Sequence, residues 1–205
     1  MFTGLIQGVG TIQEMTRLGA SLEMTCRASS AMLAEYHLGD SMAINGACLT
    51  ATKRTATTFT VLIMPETVKR TTFVHLKRGD QVHLERAMQQ TQRFEGHFVS
   101  GHIDGTTRLL KKRTVGQALV LTFAYPPQLQ GQIIAQGSIA LHGVSLTIIE
   151  TTAHSFSVSL IPHTSEHTLL GKLMLGEKVN IETDMIGKYV QATKYRVELE
   201  KIKYE

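Results

Sequence analysis

SMAINGACLTAT, residues 41–52, reappears as SIALHGVSLTII at residues 138–149. In each stretch apolar and small polar residues alternate around one glycine, Gly46 or Gly143, and such alternation is the mark of a half-buried strand. Ser138 lies 97 positions after Ser41, and the same shift carried outward aligns the two halves without a gap. It pairs Gly4 with Gly101, Ile6 with Ile103, Gly8 with Gly105, Leu22 with Leu119, Phe59 with Phe156, Pro65 with Pro162, Gly79 with Gly176 and Glu85 with Glu182. The chain is a tandem duplication of one module.

The module reads as β-rich. Further strand-like runs cover residues 57–63, 81–85 and 155–161, and glycine-containing turns bound many of them. Short, evenly spaced strands in a unit of this size predict a closed six-stranded antiparallel barrel of Greek-key type, and therefore an all-β chain. Helical segments of one or two turns are expected after each proline, over 65–70 and 162–169, with Pro at the first helical position. After Asp184 the pattern changes to Ile186, Tyr189, Val190, Thr193 and Val197 among Lys and Glu, which predicts an amphipathic helix. The expected organisation is thus a first barrel over 1–90, a second over 91–184 and a C-terminal helix over 185–205. That helix reads either as a joint between subunits or as a solvent-exposed tail.

Composition excludes several classes. Among 205 residues, 42% are apolar, 19% charged and 4 are proline, which describes a folded chain. The net charge of +4 and pI near 9.1 come from scattered Lys and Arg, apart from Lys111, Lys112, Arg113 and the tail from Lys194, so no nucleic-acid partner is expected. No basic segment followed by an apolar run opens the chain, and no stretch is long and apolar enough for a membrane helix, so a cytoplasmic location without membrane contact is expected. Cys26 and Cys48 are the two cysteines, with no metal-ligand spacing, so neither a disulfide framework nor a metal site is expected.

Gly46 and Gly143 are expected where backbone comes close to another part of the molecule or bulges. After them, Cys48 and Thr50 in the first copy and Ser145 and Thr147 in the second sit at alternate positions, so each pair shares one strand face. Such pairs line a site or simply clothe a half-buried strand, and spacing alone leaves both open.

Seven ordered segments resemble the riboflavin synthase family: MFTGLIQGVG at 1–10, GDSMAINGACLTAT at 39–52, MPETVKRTT at 64–72, GHFVSGHIDG at 96–105, QGSIALHGVSLTI at 136–148, IPHTSEHTLLG at 161–171 and GEKVNIETDMIGKYV at 176–190. They span nearly the whole chain. The resemblance implies a transferase that moves a four-carbon unit between two molecules of 6,7-dimethyl-8-ribityllumazine, giving riboflavin and 5-amino-6-(ribitylamino)uracil, without metal or organic cofactor. It implies a homotrimer with the site between the first barrel of one subunit and the second of its neighbour, and an association with lumazine synthase.

By matching motif it also implies two pockets. One would use Gly4, Leu5 and Ile6, Ser145, Leu146 and Thr147, and Leu160, Ile161, Pro162, His163 and Thr164, with Gln136 as a further contact. The other would use Cys48, Leu49 and Thr50, the run Leu62, Ile63, Met64, Pro65, Glu66 and Thr67, and Gly101, His102 and Ile103. His102 is the candidate for proton transfer, since an imidazole ionises near neutral pH. Cys48 would add to the acceptor ring or hydrogen-bond it, unless it is only a small apolar filler, and Ser41 would assist by orientation. Asp104, Glu66 and Thr67 would position these groups, while Asp184 and Lys188 would cap and pair on the final helix.

Three positions depart from the family pattern: Gln136 replaces the usual Lys, His142 the usual Asp, and Glu95 a frequent Gly. Two other readings share parts of this pattern. Lumazine-binding fluorescent proteins use the same duplicated barrel without chemistry, but that branch has lost most of the MPET and GHFVSGH motifs, both present here. A flavin-dependent reductase would require a Gly-rich βαβ nucleotide-binding half, which the sequence does not contain.

Overall fold

The computed structural model describes residues 1–91 and 93–202, with side chains through Thr193. Val197 and residues 203–205 of the expected helix lie outside the described side chains or residues.

Strands β1 (Gly8–Leu18), β2 (Ser21–Arg27), β3 (Ser41–Ile44), β4 (Ala47–Arg54), β5 (Thr58–Ile63) and β6 (Gln81–Arg86) close into an antiparallel barrel in the order β1-β2-β5-β4-β3-β6. Strands β7 (Gly105–Val115), β8 (Ala118–Ala124), β9 (Ser138–Leu141), β10 (Val144–Thr151), β11 (Ser155–Leu160) and β12 (Lys178–Thr183) repeat that order. Every strand of the second barrel begins and ends 97 residues after its counterpart. Even the register irregularities match, at Ile12/Glu14 with Leu109/Lys111 and at Ala51/Lys53 with Ile148/Glu150. Helices α1 (Ser30–Leu33), α2 (Pro65–Arg70), α3 (Pro162–His167) and α4 (Met185–Ile202) complete the fold.

One detail of the sequence reading changes. The runs 41–52 and 138–149 are each a two-stranded hairpin, not a continuous strand-like stretch. Asn45 and Gly46 have φ of 45° and 83°, His142 and Gly143 of 47° and 81°, the left-handed pair that a tight two-residue hairpin turn requires. The two turns meet back to back. A Cβ on Gly46 would lie 2.7 Å from the Gly143 amide nitrogen, and one on Gly143 would lie 2.8 Å from Gly46. These glycines mark the close approach of the two barrels.

Each barrel is filled chiefly by its own side chains, Ile12, Met24, Phe59, Val61 and Leu84 in the first and Leu121, Phe123, Ile139, Phe156 and Ile181 in the second, all at most 1% exposed, while Ile103 of the second copy joins the first core and Ile6 of the first copy packs against the second. Six strands enclose too little space for a ligand in addition to a core. Any small-molecule site must therefore lie on the outer wall. Between the barrels a separate cluster forms from Phe2, Ala43, Val99 and Ala140, and Phe2 and Val99 pair as an isolated bridge.

Candidate active site

Strand β4 points Ala47, Leu49 and Ala51 into the core and turns Cys48 and Thr50 outward, and β10 does the same with Ser145 and Thr147. The lead-in segment of the opposite copy lies across each outward face. The Cys48 amide donates to the Gly101 carbonyl at 2.9 Å, and the Ser145 amide donates to the Gly4 carbonyl at 2.8 Å. Neither approach tolerates a side chain, because a Cβ on Gly101 would sit 2.5 Å from the Cys48 Cβ and one on Gly4 would sit 2.6 Å from the Ser145 Cβ.

A buried carboxylate holds each lead-in segment in place. Glu182 accepts the Ser100 amide at 2.7 Å, the Ser100 hydroxyl at 2.6 Å and the Gly101 amide at 3.0 Å. Glu85 does the same for Thr3 and Gly4 at 2.7, 2.8 and 3.0 Å. Burial pushes both carboxyls upward from the usual range, and the hydrogen bonds they accept pull them back. The matched pair Glu85 and Glu182 thus acts as a clamp that presents Gly4 and Gly101 to the opposite barrel.

Beside the Glu182 clamp a cavity of about 680 Å³ opens. From the expected set it takes Cys48, Glu66, Thr67, Gly101, His102, Ile103 and Asp104, and it adds Arg70, Met185, Lys188 and Tyr189. Helix α4 therefore forms one of its walls. Asp104 accepts the Thr183 amide and hydroxyl at 2.8 and 3.0 Å and pairs with Lys188 at 2.7 Å, fixing α4 against the lead-in segment. Lys188 was expected to pair on the helix surface and instead reaches across to the second copy's lead-in segment. Asp184 caps α4 by accepting the Ile186 amide at 3.0 Å. On α2, Glu66 pairs with Arg70 at 2.6 Å one helical turn away.

The structure distributes the other expected residues unevenly. Leu49, Ile63, Leu146 and Leu160 face the cores, so their side chains back the site instead of lining it. Thr50, Leu62, Met64, Pro65, Leu5, Thr147, Ile161, Pro162 and His163 are exposed on the same outer walls, with Ile6 and Thr164 partly covered. Ser41 starts β3 opposite Thr50. Gln136 is exposed in a left-handed turn before β9, its amide donating to the Ile148 carbonyl at 2.8 Å, and Glu95 is exposed in the segment joining the barrels. The two cysteines separate cleanly. Cys26 is wholly buried and its thiol is pushed up to about 12, whereas Cys48 faces the cavity.

A buried histidine also escaped the sequence reading. His97, buried at 7% exposure, places Nδ1 2.7 Å from the Ser145 hydroxyl oxygen. Its Nε2 is buried with no hydrogen-bond partner among the described residues. Burial holds the imidazole below its usual ionisation range, with Asp184 opposing. The second-copy wall thus carries a Ser–His pair where the first carries a thiol.

The lumazine binding domain family matches residues 3–87 and again 100–184. Riboflavin synthase of Bacillus subtilis (strain 168) is 46% identical over 190 residues, covering 93% of this chain and 88% of the relative. That of Schizosaccharomyces pombe is 38% identical over 193 residues, covering 93% and 92%. Among solved structures, LumP complexed with 6,7-dimethyl-8-(1'-D-ribityl) lumazine superposes with a TM-score of 0.81 at 25% identity, covering 89% of this chain and 99% of that one. With two lumazine binding domains in tandem and such relatives over most of its length, the chain belongs to the riboflavin synthase family.

Proposed function

We propose that the chain catalyses the dismutation of 6,7-dimethyl-8-ribityllumazine, transferring a four-carbon unit from one molecule to another to give riboflavin and 5-amino-6-(ribitylamino)uracil, the last step of riboflavin formation. The observation that carries this reading is the duplication of the site itself: two lead-in glycines, two carboxylate clamps and two outward strand faces, related by one shift, suit two identical substrates. The product formulae together equal two substrate formulae, so neither oxidant nor reductant is consumed.

Holding the two rings in register supplies much of the acceleration, since orientation is worth up to about 7 to 11 kcal/mol. Exposed backbone amides and carbonyls at the lead-in segments suit the alternating donors and acceptors of the pteridine's uracil-like edge. The first-barrel cavity combines a thiol, Cys48, with the imidazole of His102, which suits the ring that is attacked. The second-barrel wall offers Ser145 held by His97, an arrangement for taking a proton from the C7 methyl group of the donor.

Titration with a non-reacting lumazine analogue tests the paired site. Two analogues per chain are expected, and one per chain supports the binding-only reading. His102→Ala is expected to keep analogue binding within about threefold while lowering turnover about a hundredfold or more, as for loss of a general acid or base. Unchanged turnover removes His102 from the chemistry.

The site is proposed to form in a homotrimer, between the first barrel of one subunit and the second of its neighbour. On α4, Ile186, Tyr189 and Val190 are 65%, 71% and 65% exposed, and a contiguous apolar stripe of this kind is suited to burial against another chain. Deleting residues 187–205 is expected to yield monomers in sedimentation, and a persistent trimer would remove the helix from assembly. Among the described residues no helix is long and apolar enough to cross a membrane.

A further inference from the structure

Four polar side chains meet where the barrels touch, and they obey the internal shift in a crossed manner. The first copy has Asn45 and His83, and at the same positions the second has His142 and Asn180. Each is buried, between 0% and 8% exposed. The Asn180 amide group donates to the Asn45 carbonyl at 2.9 Å while its Oδ1 accepts the Thr72 amide at 2.8 Å. His83 plays the same part from the other side: Nδ1 meets the His142 carbonyl at 2.9 Å and Nε2 meets the Leu169 amide at 2.6 Å. Within each barrel, the Asn45 Oδ1 accepts the His83 amide at 2.8 Å, and the His142 Nδ1 meets the Asn180 amide at 3.2 Å.

These partners fix the proton positions. A carbonyl only accepts, so the His83 Nδ1 carries a hydrogen; an amide only donates, so its Nε2 must be bare. By the same logic the His142 Nδ1 is bare and its hydrogen is on Nε2. Both rings are neutral, and a proton added to either one turns an acceptor into a second donor facing an N–H. Their centroids are 6.3 Å apart, so a charge on one also opposes a charge on the other.

We propose that His83 and His142 are positioning residues that lock the two barrels in register through their neutral forms, making the paired lumazine site fail in acid by release of this lock. The inference rests on the proposed two-pocket reaction for its consequence, but the lock can be tested without it. Each pocket takes its β strand from one barrel and its lead-in glycine from the other, so loosening the contact between barrels separates Cys48 from Gly101 and Ser145 from Gly4.

Burial pushes His83 down to about 4, against the opposing pull of its bond to the His142 carbonyl. Burial and then His83 push His142 down to about 3. For a base depressed on folding, the unfolded chain binds the extra proton. Stability is then complete above the ordinary value near 6.5 and falls as pH drops from there toward 4 and 3, by up to about tenfold in the folding constant per pH unit for each ring. The titratable and charged side chains in the surrounding cleft are those of His75 and Asp80 from the first barrel and Glu177 and Lys178 from the second. Lys172 lies on the turn that meets His83, and Glu85 and Arg86 follow it on β6. The raised carboxyls of Glu85 and Glu182 act in the opposite sense, since a folded state that holds protons more tightly gains stability as pH falls. His97 is depressed as well and contributes its own acid sensitivity.

The crossed arrangement supplies the decisive variant. Asn at position 142 would copy Asn45 in its turn, and Asn at position 83 would copy Asn180, accepting the Leu169 amide and donating to the carbonyl of residue 142. His83→Asn with His142→Asn should therefore keep the lock while removing its titration. Thermal midpoint and lumazine turnover would be followed from pH 8 to pH 4.5. The expected result is near wild-type behaviour at pH 8, with the fall in the folding constant between pH 6.5 and 5 at least about tenfold smaller in the double variant. An acid limb identical to the wild type overturns the proposal. Should the double variant fold poorly, the imidazole nitrogen resonances of the wild-type chain decide: His83 protonated on Nδ1 alone and His142 on Nε2 alone at pH 6 support the lock, and a charged ring at that pH overturns it.

Discussion

Gly101→Ala is expected to lower turnover by at least about a hundredfold while the barrels remain folded. Two effects act together. The residue has φ of 81°, a conformation that costs any residue with a Cβ of order 1 kcal/mol or more. The new methyl would also lie 2.8 Å from the Cys48 amide nitrogen and 2.5 Å from its Cβ, so the lead-in segment must retreat from β4. A displacement of about 1 Å in a site that works by orientation can cost about a hundredfold. Steady-state turnover with circular dichroism checks this. Turnover close to wild type would show that the contact between Gly101 and Cys48 does not shape the site. Gly4→Ala should damage the other pocket in the same way, since its methyl meets the Ser145 Cβ at 2.6 Å.

Glu182→Ala is expected to be among the most destabilising single changes, at about 3 kcal/mol. It leaves the Ser100 amide and hydroxyl and the Gly101 amide without their shared acceptor. Hydrogen bonds to a charged group contribute about 1.5 to 3 kcal/mol, and losses around one removed partner are not additive. For a chain of this size that corresponds to a fall of roughly 6 to 12 °C in thermal midpoint. Differential scanning calorimetry reads it directly. A shift below 2 °C would mean that water replaces the carboxylate and that the clamp is weak. Glu85→Ala should match it, because Thr3 and Gly4 are held by the same three bonds.

What could be read in advance follows from what repeats. One shift carried the strand pattern, and the barrels, the paired outward faces at Cys48 and Ser145 and the short helices after Pro65 and Pro162 were all legible from it. The hairpins inside 41–52 and 138–149 were less visible, because apolar alternation continues through the turn. Asn45–Gly46 is a strong turn signal, yet its counterpart His142–Gly143 is not, so the repeat itself does not carry the turn. His97 was hidden because its partner Ser145 lies 48 positions away and nothing local marks the pair. Glu85 and Glu182 appeared as a match without a role, since their work is done on backbone amides that every residue possesses.

The opposite failure is equally physical. Asn45 against His142 and His83 against Asn180 register as two mismatches in an alignment of the halves. In space they are two solutions to one hydrogen-bonding problem, each with an acceptor and a donor at the same places. Paired substitution across an internal symmetry axis cannot be seen until the copies are docked.

The central claim, that duplication serves the meeting of two like substrates, is tested most directly by incubating the purified chain with 6,7-dimethyl-8-ribityllumazine alone and quantifying every product. Two lumazines consumed for each riboflavin formed, with an equal amount of 5-amino-6-(ribitylamino)uracil, is the predicted result. Lumazine that stays bound and unchanged would contradict it.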